Sequence, residues 1–240
     1  MSLAVRAATA SAERPHRLAG PLVAAVRLIC GAGARWVEEP GLPVAKAAPA
    51  GAAIQGRQRI FFANHTSHLD PVVIWSALPA AWRAVTRPVA ARDYWQKGAL
   101  RRFLALRVFN AVLITRAAGA EGPGDRIAQA RHVIDQTLAE MGSEFSLILF
   151  PEGTRGSAEE PARFKSGLYH LAKARPEVEL VPVYLENLGR ILPKGEFLPV
   201  PLLATATFGR ALHLGADESR EAFLERTRAA VVALRQEQMK

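Results

Sequence analysis

Apolar positions fall along this chain in two alternating rhythms. Short unbroken runs, above all Ile60-Phe61-Phe62 and Phe145 to Phe150, have the length and composition of strands buried on both faces. Val85 to Ala90, Ala111 to Thr115 and Leu180 to Leu185 read as further strands, and Leu202 to Leu214 as one or two more. Helical patterns stand between them. Asp70-Pro71 opens one, with Asp70 suited to the N-cap and Pro71 to the first turn, where a missing N–H costs nothing. From Asp125 to Met141, the side chains of Ile127, Ala130, Ile134, Leu138 and Met141 recur on one helical face. Ser166 to Ala174 is helical, and a last helix starts near Asp217 or Ser219 and turns Phe223, Thr227, Val231 and Leu234 inward. Strands alternating with helices predict an α/β fold, a mainly parallel sheet flanked by helices on both faces.

The N-terminal part is patterned differently. Residues 1–16 are polar and alanine-rich, an expected frayed tail. Leu18 to Val37 is apolar but broken by Arg27, Arg35 and several glycines. It falls short of the roughly 20 mostly apolar residues of a spanning helix. It reads equally as a core helix or as an interfacial one, with the two arginines at headgroup depth and Trp36 at the boundary. The expectation is an N-terminal apolar helix that associates with a membrane, within residues 1–36, followed by one domain over 37–240. Pro40, Gly41, Pro43, Pro49 and Gly51 mark an irregular connector at its start. No cleavable signal pattern is recognised.

Composition narrows the class. A chain of 240 residues, 50% hydrophobic and 22% charged, is long and apolar enough for one sizeable core. The single cysteine, Cys30, excludes an internal disulfide; a reducing compartment is the expectation, and a structural zinc site is not expected. The net charge is +9, and residues 83–116 hold eight basic side chains against the single acid Asp93, a net +7. Such a surface attracts polyanions. Nucleic acid is the less favoured of these: there is no zinc-finger spacing and no aromatic–basic RNA-binding signature, and Gly31-Ala32-Gly33 lacks the third glycine of a dinucleotide loop. Anionic lipid or a phosphorylated substrate remains.

Three strand ends carry the candidate chemistry. After Ile60–Phe62 comes Ala63-Asn64-His65-Thr66-Ser67-His68-Leu69-Asp70, where a histidine and a carboxylate five residues apart can fold back on each other across a turn. The carboxylate fixes the tautomer through Nδ1 and leaves Nε2 as a base. His68 is the competing histidine. After the Phe145 strand comes Phe150-Pro151-Glu152-Gly153-Thr154-Arg155-Gly156, whose glycines permit tight turns and whose arginine suits phosphate. Ile114-Thr115-Arg116 brings a second arginine to a strand end, and Lys165 follows as a further cation. Val181-Pro182-Val183 suggests a special sheet edge, since proline cannot donate to a ladder.

Together these segments resemble the glycerolipid acyltransferase family, which acylates lysophosphatidic acid and related lysolipids. Asn64-His65 with Asp70 looks like its first motif, the strand ending at Arg116 its second, Phe150 to Arg155 its third and Val181-Pro182-Val183 its fourth, over roughly residues 37 to 215. The resemblance implies that 37–240 is an acyltransferase domain and the chain an O-acyltransferase with His65 and Asp70 catalytic. It further implies substrate binding by Arg116, Glu152, Gly153, Thr154 and Arg155, with Asn64, Lys165 and Pro182 as additional candidates. His65 would activate the hydroxyl of a lysophospholipid, foremost 1-acylglycerol-3-phosphate, to attack acyl-CoA or acyl carrier protein as co-substrate. Glu152 and Gly153 would position the glycerol, and Arg116 and Arg155 the phosphate. No cofactor and no metal are expected. An anionic membrane is the expected partner, and the cytoplasmic face of the cell membrane the expected place, with peripheral or monotopic attachment. A different acceptor, such as another lysophospholipid or an aminolipid, is the alternative within the class.

Overall fold

The computed structural model describes residues 19–30, 33–37, 57–115, 122–156, 160–186 and 204–238. Seven strands form one sheet: β1 (Gly33–Trp36), β2 (Arg59–Ala63), β3 (Thr86–Ala91), β4 (Val112–Ile114), β5 (Ser146–Leu149), β6 (Glu179–Glu186) and β7 (Thr205–Phe208). Their spatial order is β1-β7-β6-β2-β5-β3-β4. The block from β6 to β4 is parallel throughout; β7 runs antiparallel to β6, and β1 runs parallel to β7. The helices are α1 (Ala19–Cys30), α2 (Asp70–Ala77), α3 (Ala80–Ala84), α4 (Arg92–Trp95), α5 (Ala99–Phe103), α6 (Pro123–Met141), α7 (Gly167–Ala174) and α8 (Arg220–Gln238), with a π turn at Leu104–Val108. The α/β class and the mainly parallel sheet agree with the sequence pattern.

The unbroken apolar runs have a direct cause. Phe61 and Ala63 point into a core shared with α1, α2 and the π turn, while Ile60 and Phe62 point into a second core shared with α6, α7 and α8. Both faces of β2 are therefore dry, and each large side chain there contributes about 1.5–3 kcal/mol by leaving water. Of the inward set expected on α8, all four residues are buried, and Ser219 Oγ accepts the Ala222 N–H at its start. On α6 the pattern holds at Met141 but not at Ile127, which is 72% exposed.

The N-terminal segment departs from expectation. The helix stops at Cys30, and Gly33–Trp36 adds a strand alongside β7. The sheet thus begins inside the segment assigned to the tail and helix. Trp36 stacks on Phe208 (centroids 4.0 Å). Ala19 and Val23 are buried, and Arg27 donates to the Ser76 carbonyl at the end of α2. No helix among the described residues is long and apolar enough to cross a membrane. The expected tail over 1–16 and the connector prolines lie outside the described residues.

Pro182 also departs from expectation. It sits inside the sheet, between β2 and β7, opposite Phe62. Val183 pairs with Phe208, but Leu180 bridges Leu212, so the β7 side carries one extra residue and bulges at Gly209. The Pro182 nitrogen faces that bulge, and its carbonyl accepts the Gly209 N–H at 2.8 Å. The ladder with β2 loses nothing. A side chain at position 209 would meet the proline ring at 2.9 Å, which explains the glycine.

Candidate active site

The candidate residues gather where the parallel strands end, as is general for open α/β sheets. β2 and β5 are neighbours, so the turns that follow Ala63 and Leu149 face one another. Asn64 ties the first turn down. Its amide donates to the Leu185 carbonyl (3.0 Å) and accepts the Leu185 N–H (2.8 Å), linking β2 to β6 in a buried position. That geometry gives Asn64 a structural task rather than a place in the surface of a site.

The next residue is the histidine. His65 Nδ1 lies 2.8 Å from Asp70 Oδ2, and the same oxygen accepts the N–H groups of Thr66 (2.6 Å) and Ser67 (2.9 Å). Asp70 is therefore not the N-cap expected from sequence. It is the first residue of α2, and its carboxylate turns back to organise the turn before it. Two obligate backbone donors already occupy Oδ2, so the proton on the third line belongs to the histidine. Nδ1 is the protonated nitrogen and Nε2 the basic one. Asp70 is 0% exposed, and its second oxygen has no partner among the described residues. Burial raises its carboxyl above the ordinary value against the pull of His65 and the two N–H groups. The His65 side chain is 17% exposed, so its outer edge meets solvent.

The second turn holds the first. The Phe150 ring stacks on His65 at 4.3 Å. Glu152, 3% exposed, accepts the His65 N–H through Oε1 (2.8 Å) and the Ala162 N–H through Oε2 (3.0 Å). Gly156 then donates its N–H to the His65 carbonyl (2.9 Å), and a side chain there would strike Glu152 at 2.9 Å. Both backbone groups of His65 are thus clamped by the 150–156 turn. Local spacing cannot reveal such a contact, which joins residues 87 positions apart. Glu152 reads as a positioning group for His65, not as a group facing substrate.

Burial also raises the Glu152 carboxyl, outweighing the two N–H bonds that favour its charge. A folded value above the unfolded one means that this group's stabilising contribution is complete below the unfolded value and is lost as pH rises through the folded value. Glu152→Gln should therefore gain on the wild type between acid and neutral pH. The difference in melting temperature, variant minus wild type, should grow more positive across that range. A difference constant with pH would show that the carboxyl is not raised.

The anion-binding candidates fall into two groups. Gly153 has φ +69, and a side chain on it would lie 2.6 Å from Lys165 Nζ, so glycine alone lets the lysine cross the turn. Thr154 is exposed and Arg155 half-buried. Neither Arg155 nor Lys165 has an ion-pair partner among the described residues, so two uncompensated cations flank the turn. Arg116 lies outside the described residues, and β4, the strand leading to it, is separated from β5 by β3. Other members of the basic run serve the fold. Arg87 is buried against the Asn110 and Glu140 carbonyls and the Glu140 carboxylate, and Arg83 donates to the Ser76 and Leu78 carbonyls. His68 stacks on Tyr94 at 3.9 Å. The large cleft of about 290 Å³ lies at the opposite, amino-terminal ends of β2, β3 and β5, among Arg57, Arg59, Trp82 and Ser146, far from His65 in the fold. Among the described residues no group of His, Cys, Asp or Glu is arranged to hold a metal ion.

A histidine oriented by a buried carboxylate, clamped beside a turn with two uncompensated cations, fits general-base transfer to an anionic acceptor. A family profile described as Acyltransferase matches residues 48–186, more than half of the chain. The chain belongs to the acyltransferase family. Both motif turns of this acyltransferase, His65 to Asp70 and Phe150 to Arg155, lie within the matched region. Its fold is similar to that of the crystal structure of the 1-acyl-sn-glycerophosphate (LPA) acyltransferase, PlsC, from Thermotoga maritima. That likeness has a TM-score of 0.64 at 17% identity and covers 92% of this acyltransferase and 79% of the other chain. No curated protein sequence matches it significantly. The reading as an acyltransferase, drawn from the motifs, agrees with the family match.

Proposed function

We propose that this acyltransferase moves a fatty acyl group from acyl-CoA or acyl carrier protein to the free hydroxyl of a lysophospholipid, with 1-acylglycerol-3-phosphate as the preferred acceptor and phosphatidic acid as product. The observation that carries the reading is the meeting of the His65–Asp70 pair with the turn flanked by Arg155 and Lys165. The structurally similar Thermotoga maritima protein, an LPA acyltransferase, supports the same acceptor.

In this mechanism His65 Nε2 takes the proton of the lysolipid hydroxyl as its oxygen attacks the thioester carbonyl. The tetrahedral intermediate then expels the thiolate, which recovers the proton from the imidazolium. Asp70 stabilises that imidazolium, and Glu152 with Gly156 fixes the His65 backbone from which the ring reaches both atoms. General-base assistance of this kind is worth about 10²–10⁴ in rate. Arg155 and Lys165 hold the phosphate. No cofactor or metal enters. The enzyme works peripherally or monotopically at the cytoplasmic face of the cell membrane, where its lipid acceptor resides.

The test is thiol release from palmitoyl-CoA and from palmitoyl carrier protein over a panel of lysolipids that differ in headgroup. Release should depend on an acceptor with a free hydroxyl and be fastest with the bare phosphate headgroup. Release that ignores the headgroup would remove the phosphate assignment, and none with any lysolipid would remove the reading. Arg155→Ala should raise KM for the phosphorylated acceptor about ten-fold or more, the loss of one charge-assisted pair, with little change in kcat. An unchanged KM would take Arg155 out of the site.

A further inference from the structure

Beside the His65 turn, joined to it by the His68–Tyr94 stack, runs the segment from α4 through α5 to the π turn. Its inner side is anchored: Ala105, Val108 and Phe109 are buried in the core shared with α2, and the Phe109 N–H closes the π turn on the Leu104 carbonyl at 2.9 Å. Its outer side is not patterned like an ordinary surface. Leu100 is 71% exposed and Leu106 41%, two of the three large hydrophobic side chains exposed among the described residues. Arg101 and Arg102 follow Leu100 directly, and Arg107 follows Leu106; Lys97 stands just before. Residues 92–108 carry five basic side chains and one acid, Asp93, a net +4. The turn between α4 and α5 is made at Gly98, with φ +91, which sends Leu100 outward on a tight corner.

Isolated exposed leucines are unremarkable, and a solvated basic face is common. The combination is not. Exposed leucines each adjoined by arginine on one short segment match a bilayer surface, where apolar tips enter below the phosphates and long basic stems reach back to them. We propose that α4, α5 and the π turn form a docking surface for an anionic bilayer, with Leu100 and Leu106 inserted and Lys97, Arg101, Arg102 and Arg107 on the headgroups. This rests on the reading that the acceptor is a membrane lipid, and it names the face on which that lipid arrives. Docking here brings the His65 turn to the membrane without requiring a spanning helix.

Vesicle binding tests it without any substrate, so its outcome is independent of the acyl-transfer reading. The full chain is sedimented with vesicles of phosphatidylcholine alone or mixed with phosphatidylglycerol. Binding should require the anionic lipid and weaken with salt. Leu100→Ser with Leu106→Ser, and separately Lys97→Glu with Arg102→Glu, should each reduce it by roughly ten-fold or more. Leu100→Cys in a Cys30→Ser background, labelled with an environment-sensitive dye, should shift its emission to the blue on anionic vesicles only. Wild-type binding by both double variants, or a label that stays in water, overturns the proposal. So does a charge variant that keeps vesicle binding but loses binding to acyl carrier protein, an acidic partner, since the patch is then a protein dock.

Discussion

His65→Ala should lower kcat by about 10²–10⁴-fold while the protein stays folded. The effect on rate follows from Nε2, the basic nitrogen that Asp70 leaves free on a partly exposed side chain at the carboxyl edge of the sheet. The small effect on folding follows from what the ring leaves behind. Asp70 Oδ2 keeps the Thr66 and Ser67 N–H groups, and the backbone bonds of residue 65 to Glu152 and Gly156 do not involve the ring. Only the stack on Phe150 is lost. A destabilisation of about 1 kcal/mol, the centre of the range for point mutants, is expected. Thiol-release kinetics and thermal unfolding on the same preparation check both halves. Wild-type kcat in this variant would place the base elsewhere, with His68 the next histidine to examine.

Asp70→Asn should be comparably damaging to rate and worse for stability. An amide oxygen at the Oδ2 position can still accept the three hydrogen bonds, so the ring keeps its orientation. A neutral amide, however, does not stabilise the imidazolium that forms as the hydroxyl gives up its proton. A fall in kcat on the order of 10³–10⁴ is the scale of losing that charge in a related pair. The amide nitrogen then takes the Oδ1 position, which is buried and has no acceptor among the described residues. Leaving such a donor unsatisfied costs about 1–3 kcal/mol. Flipping the amide is worse, because it sets N–H against the Thr66 and Ser67 N–H groups. The check is kcat against KM together with the melting temperature. A variant within about two-fold of wild-type kcat would show that the carboxylate only shapes the turn, a difference far below the loss expected for its charge.

Much of this arrangement was legible along the chain, and the parts that were not have specific causes. β2 and β5 stood out because a strand buried on both faces needs an unbroken apolar run, and their adjacency put the two motif turns together. The basic run was over-read as surface. Arg87 lies within the Val85–Ala90 strand, and a strand covered on both faces buries its side chains whatever their charge; the position was the signal. The short N-terminal strand was missed because Gly33–Trp36 is exposed apart from Trp36 and has no strand-like pattern. Asp70 before Pro71 has the sequence of an N-cap, and only the backward turn of its carboxylate distinguishes the two roles. The family likeness points Glu152 at substrate. Its two acceptor bonds to His65 and Ala162 depend on the β2–β5 register, which no local motif encodes.

The most direct test of hydroxyl attack assisted by His65 is a labelled acyl thioester incubated with the protein, with and without lysophosphatidic acid. Label should pass to phosphatidic acid only when the lysolipid is present, and none should stay on the denatured protein in its absence. Label retained covalently by the protein without acceptor, or no labelled phosphatidic acid with it, would contradict the mechanism.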